Sequence, residues 1–150
     1  MSDVCLIVDA NVAHKFLLQS SAITQWLSRP LGNPRLVAAG KLLRELAAND
    51  EVRKKLVELE RAGRLRSADA ERLHREERRL RAAAVCLSND THILALAIVS
   101  GTRTLATNDN TLATDFKNKQ IIDQPRGRIY RDPTKHAHLL RHTPSCGIAR

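Results

Sequence analysis

The chain has 150 residues, enough for one domain with a substantial core and little more. Hydrophobic residues make up 43% of it, and the formal net charge of +9 favours polyanionic partners, most often nucleic acid. Aromatic residues make up only 3%, which argues against binding of single strands by base stacking and favours phosphate contacts through Arg and Lys.

Strand and helix patterns alternate along the first and last thirds of the chain. We predict buried or edge strands at 4–8, 35–39, 104–107, 121–122 and 128–130. We predict helices at 11–19, around 23–27, at 41–48, 91–99 and 111–116. The helix at 91–99 is apolar nearly all round, so it should be buried, and Gly101 should end it. This alternation predicts the α/β class with a central parallel sheet.

The middle of the chain is crowded with charges of both signs. Apolar residues recur there at sparse helical spacing on either side of the turn AGRLRS, which predicts a charged helical hairpin at about 50–81. Two roles for this hairpin remain open: a solvated surface, or a basic wall beside a nucleic-acid groove. We expect a domain from 1 to 132 and a basic, flexible tail from 133 to 150.

The cysteines and termini indicate a protein of the cytoplasm. Cys5, Cys86 and Cys146 are odd in number and far apart, with no CxxC pair, so reduced thiols are expected and Cys5 should be a small core residue. The N-terminal segment lacks a basic region before its apolar run, and the longest apolar helix is too short to span a bilayer. We therefore expect no membrane contact.

Four acidic residues stand where strands should end or on the helices that follow. Asp9 closes VCLIVD, Asp109 closes TLATND, Asp90 precedes an apolar helix, and Glu45 lies in KLLREL. Such positions converge at the carboxyl edge of a parallel sheet, where clustered carboxylates suit a hard divalent cation. Each Asp taken alone could instead be a helix cap, and Glu45 could be an exposed helical residue.

From about residue 4 to 130 the chain resembles the PIN-domain nucleases. The resemblance rests on IVDANV (Asp9, Asn11), LLREL (Glu45), SNDTHILALA (Asp90) and LATNDNTLATDF (Thr107, Asp109, Asp115), and QPRGRIY resembles a closing strand of some small prokaryotic members. The first segment and LATNDNTLATDF are fairly specific in this order and spacing, whereas LLREL alone is weak. The charged hairpin is longer than in minimal members, so its role does not carry over.

The resemblance implies a three-layer α/β/α sandwich and Mg²⁺- or Mn²⁺-dependent endonucleolytic cleavage of single-stranded RNA. It implies that Asp9, Glu45, Asp90 and Asp109 form a catalytic and metal-binding quartet. It also implies that Asp115 is a further acid at the metal and that Asn11 and Thr107 brace the site. We assign Asp9 and Asp109 as the main direct ligands. Many small stand-alone members are toxins held by an antitoxin, so an antitoxin protein is an implied partner beside RNA, and a homodimer stays open.

Basic residues near the last acidic segment are candidates for phosphate contacts. They are Arg103, Lys117, Lys119, Arg126 and Arg128, and any one of them could equally be a solvated surface cation. A haloacid-dehalogenase-like phosphatase is disfavoured because Asn11 stands where its second Asp would be needed. The serious alternative is a non-catalytic module that binds RNA or protein, and the tail histidines His136, His138 and His142 with Cys146 are a weaker candidate soft-metal site.

Overall fold

A computed structural model describes residues 3–30 and 32–146 of the chain. Five strands form one sheet in the order β3-β2-β1-β4-β5, and every neighbouring pair is parallel. The strands are β1 (Val4–Val8), β2 (Pro34–Val37), β3 (Leu65–Arg66), β4 (Thr104–Ala106) and β5 (Arg128–Tyr130). The central parallel sheet predicted from the sequence is therefore confirmed.

Helices fill every connection between consecutive strands. They are α1 (Ala22–Ser28), α2 (Gly40–Ala47), α3 (Asp50–Arg61), α4 (Ala70–Ala83), α5 (Thr91–Ser100) and α6 (Asn110–Lys117), with α7 (Ala137–Arg141) after the last strand. The predicted helix at 11–19 is instead a 3₁₀ turn, Ala10–Val12, followed by a π-helical segment, His14–Leu18. Short irregular turns of this kind commonly connect a strand to a helix.

The strand order explains why helices flank the sheet on both sides. The chain steps from β1 to β2 to β3 in one direction and then returns past β1 to β4 and β5 in the other. Right-handed crossovers place the helices of the outward steps on one face and those of the return steps on the other. This is the three-layer α/β/α arrangement, and it leaves β1 in the middle with Leu6, Ile7 and Val8 fully buried.

The helix α5 is the other element of the deep core. From Thr91 to Ala97 each side chain is at most 7% exposed, so the prediction of a helix buried nearly all round is confirmed. Gly101 follows it with φ of +76°, the left-handed conformation that ends helices with little strain in glycine. No helix in the described part of the chain is long and apolar enough to cross a membrane.

The charged middle segment contains the two predicted helices and a strand that was not predicted. Helix α3 buries Val52, Leu56 and Leu59, and α4 buries only Leu73 and Leu80, so each presents a narrow apolar stripe. Between them β3 pairs with β2 at the sheet edge. Two residues are too short a strand to carry a periodic pattern, so nothing in the residue pattern indicates it. The predicted edge strand at 121–122 is a turn whose two isoleucines are buried.

The segment after residue 132 packs against the domain, which differs from the flexible tail expected there. Helix α7 buries Leu139 and Leu140, and Ser145 forms an antiparallel bridge with Val4 at the start of β1. Cys146 is fully buried and forms a disulfide with Cys5, so the expectation of reduced thiols is wrong for this pair. Cys86 remains a free thiol, and residues 147–150 of the expected tail lie outside the described residues.

The disulfide predicts a measurable stabilisation. Because it joins residues 141 positions apart, chain entropy gives an upper bound of roughly 5 kcal/mol for its contribution. We expect Cys146→Ser to lower the free energy of unfolding by about 2–5 kcal/mol, measured by urea denaturation without reductant. Cys86→Ser is the matched control and should change it little. Titration of unfolded wild-type protein should find one free thiol, and three titratable thiols would contradict the bond.

Candidate active site at the carboxyl edge of the sheet

Two neighbouring strands end in polar residues that contact each other directly. Asp9 follows β1, and its backbone N–H donates to the carbonyl of Ala106, the last residue of β4, at 2.9 Å. The hydroxyl of Thr107 donates to Asp9 Oδ2 at 2.7 Å and accepts from the backbone N–H of Asp109 at 3.1 Å. Thr107 therefore positions both Asp9 and the backbone of Asp109 at the carboxyl edge of the sheet.

The carboxylate of Asp9 is held in an unfavourable electrostatic environment. Asp9 is only 8% exposed. Burial raises the pKa of Asp9 above its ordinary value of 3.8, and the nearby negative charge of Asp90 raises it further. The Thr107 hydroxyl and the backbone amides of Ala10 and Asn11 act in the opposite direction without cancelling the effect. The effect of Asp90 on this pKa means that the two carboxylates lie within range of electrostatic interaction.

Asp90 and Asp109 both precede helices, but their side chains differ in what they contact. Asp109 Oδ1 caps α6 by accepting from the backbone N–H groups of Thr111 and Leu112, at 2.9 and 3.1 Å. Asp90 precedes α5 without any side-chain cap, so capping does not explain its carboxylate. The positive ends of the two helix dipoles stabilise carboxylates at these positions. Asp109 Oδ2 and both oxygens of Asp90 stay free of hydrogen bonds from the described residues.

Glu45 reaches the same edge through a histidine that the sequence analysis missed. Glu45 lies on α2, and its Oε1 is 2.9 Å from Nε2 of His92. His92 is 5% exposed and lies two residues after Asp90 in α5. The contact fixes the Glu45 carboxylate relative to the helix that carries Asp90. Only the closeness of His92 to Asp90 in the chain could have pointed to it, because partners 47 residues apart show no periodicity.

Asp115 lies on α6 and binds the loop that precedes Asp90. It is 1% exposed, and its two oxygens accept the backbone N–H groups of Leu87 and Ser88 at 2.8–3.0 Å. These two residues belong to the loop that leads into Asp90, and Ser88 in turn accepts from the backbone N–H of Asp90 at 3.2 Å. In this structure, the contacts of Asp115 are with the loop and not with the other acids.

Two further residues complete the description of the edge. The side chain of Asn11, expected to brace the site, is exposed and makes no hydrogen bond with the described residues. Arg131, which the sequence analysis did not single out, donates from Nε to the carbonyl of Thr107 at 3.2 Å and from Nη1 to Asn110 Oδ1 at 2.9 Å. A guanidinium therefore lies directly beside the acidic edge.

The donor atoms suit a hard cation, although no complete metal cage is assembled. Over residues 3–30 and 32–146, no group of three or more His, Cys, Asp or Glu side chains is close enough to hold a metal as it stands. The available ligands are carboxylate oxygens of Asp9, Asp90, Asp109 and Glu45, the atoms that Mg²⁺ and Mn²⁺ prefer. Mg²⁺ retains several waters and needs only one or two carboxylates directly, so the donor set fits.

The predicted phosphate-binding residues lie toward the amino ends of the strands, opposite the acidic edge. Arg103 directly precedes β4, and Arg128 is the first residue of β5. Lys117 is the last residue of α6, the helix that begins next to Asp109 and leads away from it. Arg103 is unsuited to a phosphate because its Nη1 donates to the carbonyls of Ala97 and Thr102 at 2.8 and 3.0 Å. Burial lowers the pKa of this guanidinium, against the effect of Asp123. Arg126 donates to the Lys117 carbonyl, and Lys119 is exposed in the following turn.

Fold and site together define an α/β protein with a five-stranded parallel sheet and an acidic carboxyl edge. Among solved structures, the chain is similar to VapBC2 from Rickettsia felis bound to a DNA fragment from their promoter. The match has 16% identity and a TM-score of 0.48 and covers 85% of this chain and 98% of that one. So distant a likeness does not bear on what this chain does. No family model and no curated protein matches the chain.

The raised pKa of Asp9 predicts the pH dependence of stability. Below pH 3.8 the carboxyl group is protonated in both the folded and the unfolded state; as pH rises, the unfolded chain loses this proton first and stability falls. We therefore expect Asp9→Asn to raise the melting temperature at pH 7 without metal, with the gain vanishing near pH 3. Thermal denaturation from pH 3 to 7 in EDTA measures this. Exposed Asp123→Asn is the control, and a pH-independent loss for Asp9→Asn would contradict the prediction.

Asp115→Asn should have the opposite effect on stability. An amide oxygen in place of Oδ2 could still accept the N–H groups of Leu87 and Ser88, but the NH₂ group in place of Oδ1 would then face the N–H of Leu87. We expect the free energy of unfolding to fall by about 2 kcal/mol, because a buried NH₂ group is left facing another donor instead of an acceptor. Urea denaturation at pH 7 measures it, and hydrogen exchange should show faster opening of the loop at 84–90. Equal or higher stability of this variant would show that the contacts do not hold the loop.

Proposed function

We propose that this chain is a metal-dependent endoribonuclease that cleaves single-stranded RNA at the acidic edge. The observation that carries the proposal is the set of contacts at this edge. Thr107 joins Asp9 to Asp109, Asp9 and Asp90 interact electrostatically, and His92 holds Glu45 to the helix that Asp90 begins. In the proposal, four acids distant in sequence share one region of a strongly basic protein, where they would repel a phosphate placed among them unless a cation lay between.

In the proposal, Asp9 and Asp109 bind Mg²⁺ or Mn²⁺ directly, while Asp90 and Glu45 complete the site through water. The bound cation would supply activation of water and stabilisation of charge on the scissile phosphate. Asp9 suits its role because a nearby cation would stabilise its desolvated charge. Asp109 keeps Oδ2 available while Oδ1 fixes the side chain to α6. No histidine or lysine is required as general base.

The remaining residues of the site have positioning roles in this proposal. Thr107 sets the rotamer of Asp9, since its hydroxyl donates to Oδ2 and its own orientation is fixed by the Asp109 N–H. His92 fixes Glu45, which otherwise would be an exposed, mobile helical side chain. Asp115 holds the loop before Asp90 and is thereby proposed to act on the metal site indirectly, through Asp90. Support of this kind matters because metal ligands depend on their hydrogen-bonded partners.

A biological role as the toxin of a toxin–antitoxin pair is a further part of the proposal. It rests on the motif resemblance to small PIN-domain proteins and implies an antitoxin protein as a second partner. Induced expression of the chain should arrest growth, and Asp9→Asn should relieve the arrest. This role is separable from the chemistry, because an RNA-processing nuclease would cut RNA in vitro without arresting growth.

The nuclease activity is tested by cleavage of a labelled single-stranded RNA in Mn²⁺ and in EDTA. We expect cleavage only with Mn²⁺ and its loss to background in Asp9→Asn and Asp109→Asn. In His92→Phe we expect a decrease of about 10- to 100-fold, because Glu45 would no longer have the hydrogen-bonded partner that positions it. Mn²⁺ should also raise the melting temperature of the wild type and not of Asp9→Asn.

Variants of the charged hairpin provide the control for this experiment. Glu51→Gln on α3 removes an exposed carboxylate that pairs with Lys54 and not with any residue of the acidic edge, and this variant should cut at the wild-type rate. Cleavage that survives both Asp9→Asn and Asp109→Asn would contradict the assigned site. RNA binding without cleavage, together with no stabilisation by Mn²⁺, would instead favour a non-catalytic binding module.

A further inference from the structure

A groove runs between helix α6, strand β5 and the segment that leads into α7, and none of the four acids lines it. It consists of two concavities of about 390 and 520 Å³ that share Lys117, Ile129 and His136 on their walls. One concavity extends to Arg126 and Arg128, and the other extends to Arg131 and Asn110. Gly127 lets the two walls approach closely, because a Cβ there would clash with the carbonyl oxygen of Phe116. We call the two concavities together the basic groove.

The lining of the basic groove is cationic and contains no carboxylate. Its charged members are Lys117, Arg126, Arg128 and Arg131, and no Asp or Glu lines either concavity among the described residues. Lys117 and Arg128 are exposed, and their head groups make no hydrogen bond or ion pair with the described part of the chain. Elsewhere in this chain exposed cations are often paired, as Arg53 is with Asp50 and Arg81 with Glu77. The groove therefore concentrates positive charge that forms no ion pair with a described carboxylate.

His136 contributes a neutral donor at the middle of the groove. Its Nδ1 accepts the backbone N–H groups of Arg131 and Asp132, at 2.9 and 3.0 Å. Accepting at Nδ1 places the hydrogen of the neutral imidazole on Nε2, which then is a donor available to a ligand oxygen. Phosphate oxygens accept hydrogen bonds from such donors as well as from cations.

The basic groove begins at the acidic edge. Arg131, at its upper end, donates to the Thr107 carbonyl and to Asn110, which is next to Asp109. From there the groove follows β5 back to Arg128, a distance of roughly 10 Å at about 3.3 Å per residue. Helix α6 covers a similar roughly 10 Å from Asn110 to Lys117 at about 1.5 Å per residue. A stacked strand carries one charge per about 3.4 Å, so about three phosphates would fit.

We infer that the basic groove binds the phosphate backbone of the single-stranded RNA on one side of the bond to be cut. This inference rests on the proposed function and specifies where the strand lies: it continues from the acidic edge past Arg131 and His136 to Lys117 and Arg128. The contacts are with phosphates and sequence-independent, since the lining offers cations and the imidazoles of His136 and His138 but no Phe, Trp or Tyr ring for stacking. An acidic peptide would match the charge but has no reason to continue from a phosphodiester-cutting edge.

The test is RNA binding in a form of the protein that cannot cut. Full-length Asp9→Asn protein in EDTA is titrated with a fluorescein-labelled uridine RNA of about 20 nucleotides, several times the length of the groove, at several salt concentrations. Adding Lys117→Ala and Arg128→Ala should raise Kd about tenfold at about 0.1 M salt. The slope of log K against log salt should become shallower by about 1.4, since each of the two cations accounts for about 0.7 on a single strand. The control Lys54→Ala with Arg61→Ala removes two exposed cations from α3 and should bind like its parent.

The outcomes separate this inference from the proposed function. Because cleavage is not measured, weakening confined to the groove variant supports the inference even if the wild type proves unable to cut. Equal Kd values and salt slopes for the groove and control variants would overturn it. It would also be overturned if polyglutamate, and not RNA, bound in a way that depends on Lys117 and Arg128, since the occupant would then be an acidic protein segment. Both side chains are exposed, so unchanged melting temperatures should verify folding.

Discussion

The hydrogen bond from Thr107 to the buried carboxylate of Asp9 connects the fold of this protein to its candidate site. It joins the ends of the two central strands, and the same hydroxyl accepts from the backbone of Asp109. The pairing of β1 with β4 brings these residues together, because parallel strands in register end at the same edge. The site therefore depends directly on the sheet order: if another strand took the place of β4 beside β1, Asp9 and Asp109 would be separated.

The acids at this edge are of two electrostatic kinds. Asp115 is more deeply buried than Asp9, yet its oxygens accept backbone N–H groups that fix its position. Asp9 receives the Thr107 hydroxyl but faces Asp90, and the balance leaves its pKa raised. A carboxylate whose oxygens accept several hydrogen bonds has a structural role. A carboxylate that is desolvated and repelled by a second negative charge is suited to bind a cation. The two side chains also differ in their donors: Asp115 accepts two backbone N–H groups of one loop, whereas Asp9 accepts the hydroxyl of Thr107.

Sequence reasoning could predict the features that depend on chain-local patterns. The central strand, the buried helix α5 and the acids at strand ends each follow from apolar runs and the residues directly after them. It failed where partners are distant or elements are very short. His92 contacts Glu45 across 47 residues, Cys146 joins Cys5 across 141, and β3 has only two residues. The packing of Leu139 and Leu140 was hidden by the basic composition around them.

The same limitation explains why the basic residues were predicted as one group although the structure places them in different surroundings. Nearness in sequence to LATNDN suggested nearness to the acids, but α6 and β5 each carry the chain roughly 10 Å along the sheet. Arg103 satisfies backbone carbonyls at the far edge, while Arg131 lies beside Thr107. A cation directly among the carboxylates would neutralise them and compete with a metal. Cations farther along the basic groove, such as Lys117 and Arg128, can attract a polyanion with less of this competition, because screening limits their effect to about 8–10 Å at ordinary salt. In the proposal, the acids at the edge are thus separated from the cations of the basic groove, and this separation lets a basic protein keep a site suited to a cation.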